Sequence, residues 1–191
     1  MNLQHTLTEA LETHNEAILV FSQDLVRIAS ENPPGNDYRA CVDRLSLELD
    51  RLGFAYQVLE TPGFSDRPLY NLLSFYGSGQ SVVYSHGHYN VVPAQSREQF
   101  NPLVARGRLY GRGSADMKSG LAAMIYATYL LRELKVPLQG RIGLCIVADE
   151  ETGGQGGSRY LEQAGLLGDN AIAMLTPGPK PLNTLNTQKV S

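Results

Sequence analysis

Apolar residues recur along the chain at two different spacings, and each spacing predicts a different kind of element. Near-helical spacing predicts amphipathic helices, whereas short apolar runs rich in β-branched and aromatic residues predict buried strands. The predicted helices cover residues 8–29, 38–52, 117–134 and 155–164. The predicted strands cover residues 55–59, 70–76, 81–85, 140–147 and 171–175, and residues 94–108 are predicted to be irregular.

The order of these elements predicts the fold class. Helices alternate with apolar strands, which favours βαβ crossovers and therefore a sheet that is parallel in part and covered by helices. We predict an α/β fold with three αβα layers around a mixed, partly parallel central sheet. After Thr176 the composition shifts to Pro, Asn, Thr and Lys without an amphipathic pattern. We therefore expect one domain over residues 1–175 and a divergent or unstructured tail over residues 176–191.

Composition narrows the possible partners. The chain has 191 residues, 18% of them charged, and a formal net charge of -3, so it lacks the basic surface expected of a protein that binds nucleic acid or acidic membranes. Its longest apolar run, residues 121–131, is too short to cross a bilayer. The N-terminus resembles no signal peptide, and Cys41 and Cys145 show no pairing signature. We expect a cytoplasmic protein without nucleic-acid or membrane partners.

Two histidines follow the predicted strand that ends near Ser85. His86 and His88 flank Gly87, and Pro93 ends the stretch. Polar residues at the carboxyl end of a buried strand lie where α/β folds place their chemistry. The alternative is a strand end with two surface or hydrogen-bonded histidines, and the stretch alone favours that alternative.

Acidic residues lie at two later element boundaries. Asp116 lies at a predicted helix start after a glycine-rich turn, where it can either cap the helix or act as a rigidly held metal ligand. The run Asp149-Glu150-Glu151 follows a predicted strand and precedes Gly153-Gly154. Such a run is either a solvated loop or a pair of glutamates that divide metal binding from general-base catalysis.

Other catalytic motifs do not fit the sequence. Neither Gly111-Arg112-Gly113 nor Gly154-Gln155-Gly156 is followed by the third glycine of a dinucleotide fingerprint. The chain also lacks a Walker-type phosphate loop, a cysteine pair at zinc-finger spacing and a Gly-x-Ser-x-Gly elbow.

Taken together, the three stretches resemble a known family. His-Gly-His-Tyr-Asn-Val-Val-Pro, Gly-Arg-Gly-Ser-Ala-Asp-Met-Lys and Asp-Glu-Glu-Thr-Gly-Gly occur in the order typical of the zinc-dependent aminoacylase, acetylornithine deacetylase, succinyl-diaminopimelate desuccinylase and carboxypeptidase G family. The resemblance covers residues 8–178, the N-terminal part of the catalytic domain. It implies a zinc-exopeptidase-like fold and a metal-dependent hydrolase of the amide bond in N-acyl amino acids or small peptides.

The resemblance also implies a role for individual residues. His88 would be a zinc ligand, Asp116 the carboxylate that bridges two zinc ions, and Glu151 a ligand of the second zinc. Glu150 would be the general base, and His86 would not ligate. Cobalt is an expected substitute for zinc.

Three departures from the family pattern modify this expectation. Asn90 replaces an Asp that orients the ligand histidine, a change expected to cost about 10–100-fold in metal affinity or activity. Gly178 stands where the family has its next carboxylate ligand. The sequence shows neither the family's lid and dimerisation domain nor its final zinc-binding histidine.

Two hypotheses follow. In the first, the chain is a zinc amidohydrolase. In the second, it is a catalytically impaired, truncated relative that binds at most one metal weakly or pairs with a partner chain. An exposed sheet edge would favour oligomers in either case.

Overall fold

The computed structural model describes residues 2–62 and 66–178. Its helices are α1 (Leu3–Arg27), α2 (Tyr38–Arg51), α3 (Ser119–Glu133) and α4 (Ser158–Gln163). Its strands are β1 (Tyr56–Thr61), β2 (Leu69–Gly77), β3 (Val82–His88), β4 (Leu103–Ala105), β5 (Arg108–Tyr110), β6 (Arg141–Val147) and β7 (Ala171–Leu175).

Five of the strands form one sheet in the order β1-β2-β6-β3-β7. Strand β2 runs antiparallel to β1 and β6, whereas β3 runs parallel to β6 and β7. The predicted mixed, partly parallel sheet is therefore confirmed. Because β3, β6 and β7 share a direction, their carboxyl ends meet at one edge of the sheet, where α/β folds place their functional groups.

Helices cover both faces of this sheet, as predicted. The larger core lies against α1, α2 and α3 and includes Leu25, Leu45 and Ile125, all fully buried. A smaller core on the opposite face joins Tyr84 of β3 to Leu161 of α4. The three-layer arrangement thus follows from apolar stripes on helices that pack against apolar strands.

A buried carboxylate links α2 to α3. Glu48 accepts hydrogen bonds from Arg44 (3.0 Å), from Arg51 (2.5 Å) and from the hydroxyl of Tyr126 on α3 (2.8 Å). Burial raises the pKa of Glu48, but the hydrogen bonds from Arg51, Tyr126 and Arg44 outweigh burial, so the pKa is lowered overall. The network holds a charged group inside the helical layer.

The structure differs from the prediction mainly in local geometry. Helix α1 begins at Leu3 rather than near residue 8, because the Asn2 side chain accepts a hydrogen bond from the Gln4 amide at 3.0 Å. The segment predicted to be irregular contains β4 and the start of β5, which form a hairpin whose turn places Arg106 and Gly107 at positive φ. Helix α4 begins at Ser158 rather than near residue 155.

Residues 179–191, most of the predicted tail, lie outside the described residues, so the domain boundary stays a prediction. Among the described helices, none combines the length and hydropathy needed to cross a membrane.

Candidate metal centre

Two neighbouring parallel strands carry the candidate site. His88 is the last residue of β3 and pairs in register with Val147, the last residue of β6. Asp149, Glu150 and Glu151 follow β6 directly, and the two glutamates begin a short 3-10 helix. The histidine and the acidic run, each predicted to follow a strand, therefore lie side by side at the carboxyl edge of the sheet.

The His88 side chain is buried and has a defined orientation. Its Nδ1 lies 2.9 Å from the backbone carbonyl oxygen of Asn90, which can only accept, so Nδ1 carries a proton and donates it. Its Nε2 faces two carboxylates, Oδ1 of Asp116 at 3.2 Å and Oε2 of Glu150 at 3.7 Å. In the neutral imidazole Nε2 carries a lone pair, and this lone pair faces the negative charge of the carboxylates. A cation bound between them would stabilise this arrangement.

A turn between β5 and α3 presents Asp116. Gly113 precedes it with φ 79°, and a Cβ there would fall 2.5 Å from Val91, so the turn needs glycine at this position. Asp116 and Met117 have non-helical backbone angles, and α3 has Lys118 at its N-cap with no side-chain cap hydrogen bond. The Asp116 side chain is therefore held outside α3 instead of capping it, which favours the ligand interpretation over helix capping.

Lys118 anchors this turn to the end of α1. Its side chain is fully buried, and its ammonium group donates to the carbonyls of Leu25 (2.9 Å) and Ile28 (2.5 Å) at the end of α1. Burial lowers the pKa of Lys118. The sequence motif gave no chemical role to this lysine, because nothing in the pattern shows that it points inward.

The two glutamates differ in their surroundings. The Glu150 side chain is 54% exposed, so solvent and small molecules can reach its carboxylate. Glu151 is half-buried, and burial is the largest of the influences that raise its pKa; Asp116 and Glu150 raise it further, while His88 and Arg112 oppose them. The ionised form of Glu151 is thus disfavoured by its surroundings, and a cation bound nearby would stabilise its negative charge.

Asp149 belongs to the interior and not to a solvated loop. It is 1% exposed, and its Oδ2 accepts a hydrogen bond from the Gly156 amide at 2.7 Å. Burial raises its pKa, and hydrogen bonds from the amides of Gly156 and Gly157 oppose that shift. The carbonyl of Gly156 accepts in turn from Thr61 (2.6 Å) and Asn71 (3.0 Å). Sequence analysis missed this role, because three consecutive acids give no signal of which one turns inward.

Three side chains converge well enough to hold a cation. One donor atom each from His88, Asp116 and Glu151 lies within 4.8 Å of the other two. An imidazole and two carboxylates form a donor set that suits zinc and other divalent transition metals. The arrangement therefore fits a single divalent ion, and the described residues contain no other such group of three.

The remaining predicted positions behave differently. Asn90 is fully buried, but the atom that orients His88 is its backbone carbonyl oxygen, which corrects the expectation that the side chain does so. Gly178 brings no ligand, and a Cβ at this position would meet nothing within 4 Å. His86 points to Ser158, with Nε2 and Oγ 2.7 Å apart, and lies outside the group of three ligands. Burial, aided by His88, lowers the pKa of His86 to about 4.

Comparison with known proteins places this geometry in a family. The model of peptidase family M20/M25/M40 matches residues 84–186, more than half of the 191 residues. The chain is 34% identical over 138 residues to succinyl-diaminopimelate desuccinylase of Janthinobacterium sp. (strain Marseille) and 36% identical over 143 residues to that of Methylobacterium radiotolerans. These matches cover 70% and 71% of the chain but 35% of each relative, so the chain spans about a third of their length.

Solved structures agree with this result at the level of the fold. Human carnosine dipeptidase 1 superposes with a TM-score of 0.78 at 21% identity, over 91% of this chain and 41% of that one. A dinuclear metal-binding peptidase of the M20 family from Bacillus subtilis superposes with a TM-score of 0.61 at 15% identity, over 86% of this chain and 43% of that one. The predicted resemblance is confirmed: the chain belongs to peptidase family M20/M25/M40, a family of metal-dependent hydrolases.

Proposed function

We propose that His88, Asp116 and Glu151 hold one zinc ion and that the site hydrolyses an amide bond in an N-acyl amino acid or a small peptide. The observation that carries this proposal is the orientation of His88. Its Nδ1 proton is committed to the Asn90 carbonyl, while Nε2 faces Asp116 at 3.2 Å and Glu150 at 3.7 Å. A cation among these groups would offset the repulsion between the lone pair and the carboxylates.

Each side chain has a distinct part in the proposed reaction. A bound zinc ion would supply Lewis-acid polarisation of the scissile carbonyl group. Glu150, exposed and next to the three ligands, accepts a proton from the attacking water as its oxygen bonds to the carbonyl carbon. Glu150 then delivers this proton to the leaving nitrogen as the C–N bond breaks. Asn90 keeps the His88 ring fixed through its carbonyl oxygen, so the ligand nitrogen does not change tautomer.

One metal fits the described residues better than two. The family pattern places a further carboxylate where this chain has Gly178, and no second group of donors lies among the described residues. Three protein ligands with an open position are the usual complement of one catalytic zinc. Cobalt, which accepts the same donors, is the expected spectroscopic substitute.

The substrate class is proposed from the names of the relatives. They include succinyl-diaminopimelate desuccinylases, a dipeptidase and a tripeptidase, all of which act on small molecules that carry an amide bond. We therefore place an N-acyl amino acid or a short peptide at the open edge beside Glu150.

A second candidate function follows from Gly178 and Asn90. With one expected ligand replaced by glycine and the family's Asp replaced by an amide, the chain would bind a metal weakly and not turn over substrate. Partner binding would then be its role, as in the second hypothesis above.

Hydrolysis assays separate the two candidates. Metal-free protein is loaded with Zn²⁺ or Co²⁺ and tested on N-succinyl, N-acetyl and dipeptide substrates beside Glu150→Gln. The matched control is Glu162→Gln, which removes a similar carboxylate from the exposed surface of α4. Metal-dependent turnover that Glu150→Gln abolishes and Glu162→Gln preserves supports the hydrolase. Absence of turnover, or equal turnover in all three proteins, contradicts it.

We also propose that two copies associate through β7. Among the described residues this edge strand pairs only with β3; it consists of five apolar residues and leaves Ile172 64% exposed. An uncharged apolar edge without proline is a template for pairing with another strand. Ile172→Lys is expected to convert a dimer to a monomer in light scattering, whereas Val20→Lys on the exposed face of α1 leaves it unchanged. A monomeric wild-type protein would contradict the proposal.

We place the protein in the cytoplasm. Cys41 and Cys145 are separate buried thiols, which suits a reducing compartment. Fractionation of the source cells, followed by immunodetection, tests this location; recovery outside the cytoplasm would contradict it.

A further inference from the structure

Two buried polar residues, Asn90 and Asp149, follow the ends of the neighbouring strands β3 and β6. The backbone ladder continues past His88, because the Tyr89 amide donates to the carbonyl of Val147 at 3.1 Å. The register pairs His88 with Val147, and Asn90 and Asp149 each lie two residues beyond this last pair, so continuing the register places them opposite each other. Neither was expected from its motif to face the interior.

Both residues carry polar atoms without partners. Asn90 is 0% exposed and Asp149 is 1% exposed. Within the described part of the chain, Nδ2 and Oδ1 of Asn90 and Oδ1 of Asp149 make no hydrogen bond. A buried donor and a buried acceptor that stay unpaired each cost free energy, and neighbouring groups of opposite type remove that cost by pairing.

We propose that Asn90 and Asp149 act as one positioning pair, in which Nδ2 of Asn90 donates to Oδ1 of Asp149. The pair connects the two segments that carry ligands. The Asn90 carbonyl accepts the proton of His88 Nδ1 at 2.9 Å, and Asp149 directly precedes Glu150 and Glu151. Its other oxygen, Oδ2, is fixed by the Gly156 amide. The role toward the ligands rests on the proposed metal site, but the pairing itself does not.

This pairing explains why an amide is compatible with position 90. A second carboxylate there would lie beside the buried carboxylate of Asp149, and two like charges in a poorly solvated place repel each other. The amide supplies a donor instead.

Tyr38 offers a rival donor. Its hydroxyl is buried without a partner, and the negative charge of Asp149 contributes to the raised pKa of Tyr38. If Tyr38 were the donor to Asp149, Tyr38→Phe would destabilise the protein. The effect on Tm of a substitution at residue 90 would then be the same whether residue 149 is Asp or Asn. A variant at Tyr38 is therefore part of the test.

The first measurement uses metal-free protein in the presence of a chelator, so it does not depend on the proposed function. Thermal unfolding is compared for wild type, Asn90→Asp, Asp149→Asn and the double variant that exchanges the two groups. Asn90→Asp is expected to lower Tm by about 4–10 °C, because it exchanges a hydrogen bond for a repulsion. The exchanged variant should recover most of this loss, since an amide at residue 149 can donate to a carboxylate at residue 90. Asn101→Asp, a control that adds the same charge at an exposed position, should leave Tm unchanged.

The second measurement tests positioning and uses Co²⁺. Asn90→Asp should weaken Co²⁺ binding about 10-fold or more and change its visible absorption spectrum, and the exchanged variant should restore both. Recovery of Tm without recovery of the Co²⁺ spectrum would overturn the positioning role. If wild-type protein binds no Co²⁺, the proposed function fails, while the chelator measurement still decides the pairing.

The remaining outcomes are decisive as well. The pair would be overturned if Asn90→Asp had the same Tm as wild type. It would also be overturned if the fall in Tm of the exchanged variant equalled the sum of the falls in the two single variants. If Tyr38→Phe lowers Tm and the changes at residues 90 and 149 have additive effects on Tm, the hydrogen bond belongs to Tyr38 and the proposed pair is overturned. If Asn90→Asp does not fold, a folded exchanged variant supports the pair and an unfolded one contradicts it.

Discussion

Nε2 of His88 lies 3.2 Å from Oδ1 of Asp116, although 28 positions separate the two residues along the chain. The imidazole of His88 lies at the end of strand β3, and the carboxylate of Asp116 lies in the turn after β5. Each side chain is held by a contact on its far side: the Asn90 carbonyl fixes the ring, and the buried Lys118 fixes the turn. The pair therefore forms before any ligand is added.

Removal of the Asp116 charge should weaken metal binding strongly. Asp116→Asn keeps the shape of the side chain but removes the anionic oxygen that faces His88, so zinc affinity should fall about 100-fold. Calorimetric titration of metal-free protein with Zn²⁺ measures the change. Asp169→Asn, which neutralises an acid away from the site, is the control. Equal zinc affinity in Asp116→Asn and wild type would exclude Asp116 as a ligand.

Lys118 should contribute to stability rather than to chemistry. Lys118→Met fills the same space but leaves the carbonyls of Leu25 and Ile28 without the ammonium donor, so the protein should lose about 2–4 kcal/mol of unfolding free energy. Urea unfolding followed by circular dichroism measures this loss. Lys135→Met, at an exposed position just after α3, should have no effect. Unaltered stability in Lys118→Met would show that the buried ammonium group does not anchor the turn.

Glu48 should make stability depend on pH. Its pKa in the folded protein lies below the ordinary value of 4.5, so the unfolded chain binds a proton more readily. The stabilisation by Glu48 is therefore complete above pH 4.5 and disappears as the pH falls through the folded pKa. Glu48→Gln should cost about 2–4 kcal/mol at pH 7, because it leaves two arginines facing a neutral group.

The measurement compares urea unfolding of wild type and Glu48→Gln from pH 7 to pH 3. The difference between the two proteins should shrink below pH 4.5 as the wild-type carboxylate is protonated. A difference that stays constant over this range would contradict the assignment of the lowered pKa to Glu48.

Gly178→Glu should strengthen metal binding. A Cβ at Gly178 meets no other atom within 4 Å, so a side chain can begin there without a backbone clash. The family pattern places a carboxylate ligand at this position, and the new side chain should raise zinc affinity at least about 10-fold or add a second metal per chain. Gly178→Gln, which has the same shape without charge, should do neither. Identical titrations for Gly178→Glu and Gly178→Gln would show that residue 178 does not face the metal centre.

Sequence patterns predicted the order and type of the main elements, because long apolar stripes and buried strands dominate the signal. Five strands of the sheet and the four helices were found in this way. The hairpin of β4 and β5 was not, since its strands have three residues each and expose large apolar side chains such as Leu103. Strands of this length leave no periodic pattern to recognise.

The same limit applies to the site. The family resemblance implied His88, Asp116 and Glu151 as ligands, and these three side chains converge in the structure. The motifs did not show that Asp149 turns inward, nor that the Asn90 carbonyl oxygen holds His88. The first outcome depends on how the glycine-rich loop after β6 packs and the second on the backbone path just after β3, and local sequence determines neither.

The most direct test of the metal centre is a crystal structure of zinc-loaded protein with anomalous data collected at the zinc edge. We predict one anomalous peak per chain, about 2.0–2.2 Å from Nε2 of His88 and from a carboxylate oxygen of Asp116 and of Glu151. Loss of the peak in crystals of Asp116→Asn would confirm the ligand set. A zinc-loaded crystal with no peak among these three side chains, or with its peak at a different part of the surface, would contradict the account.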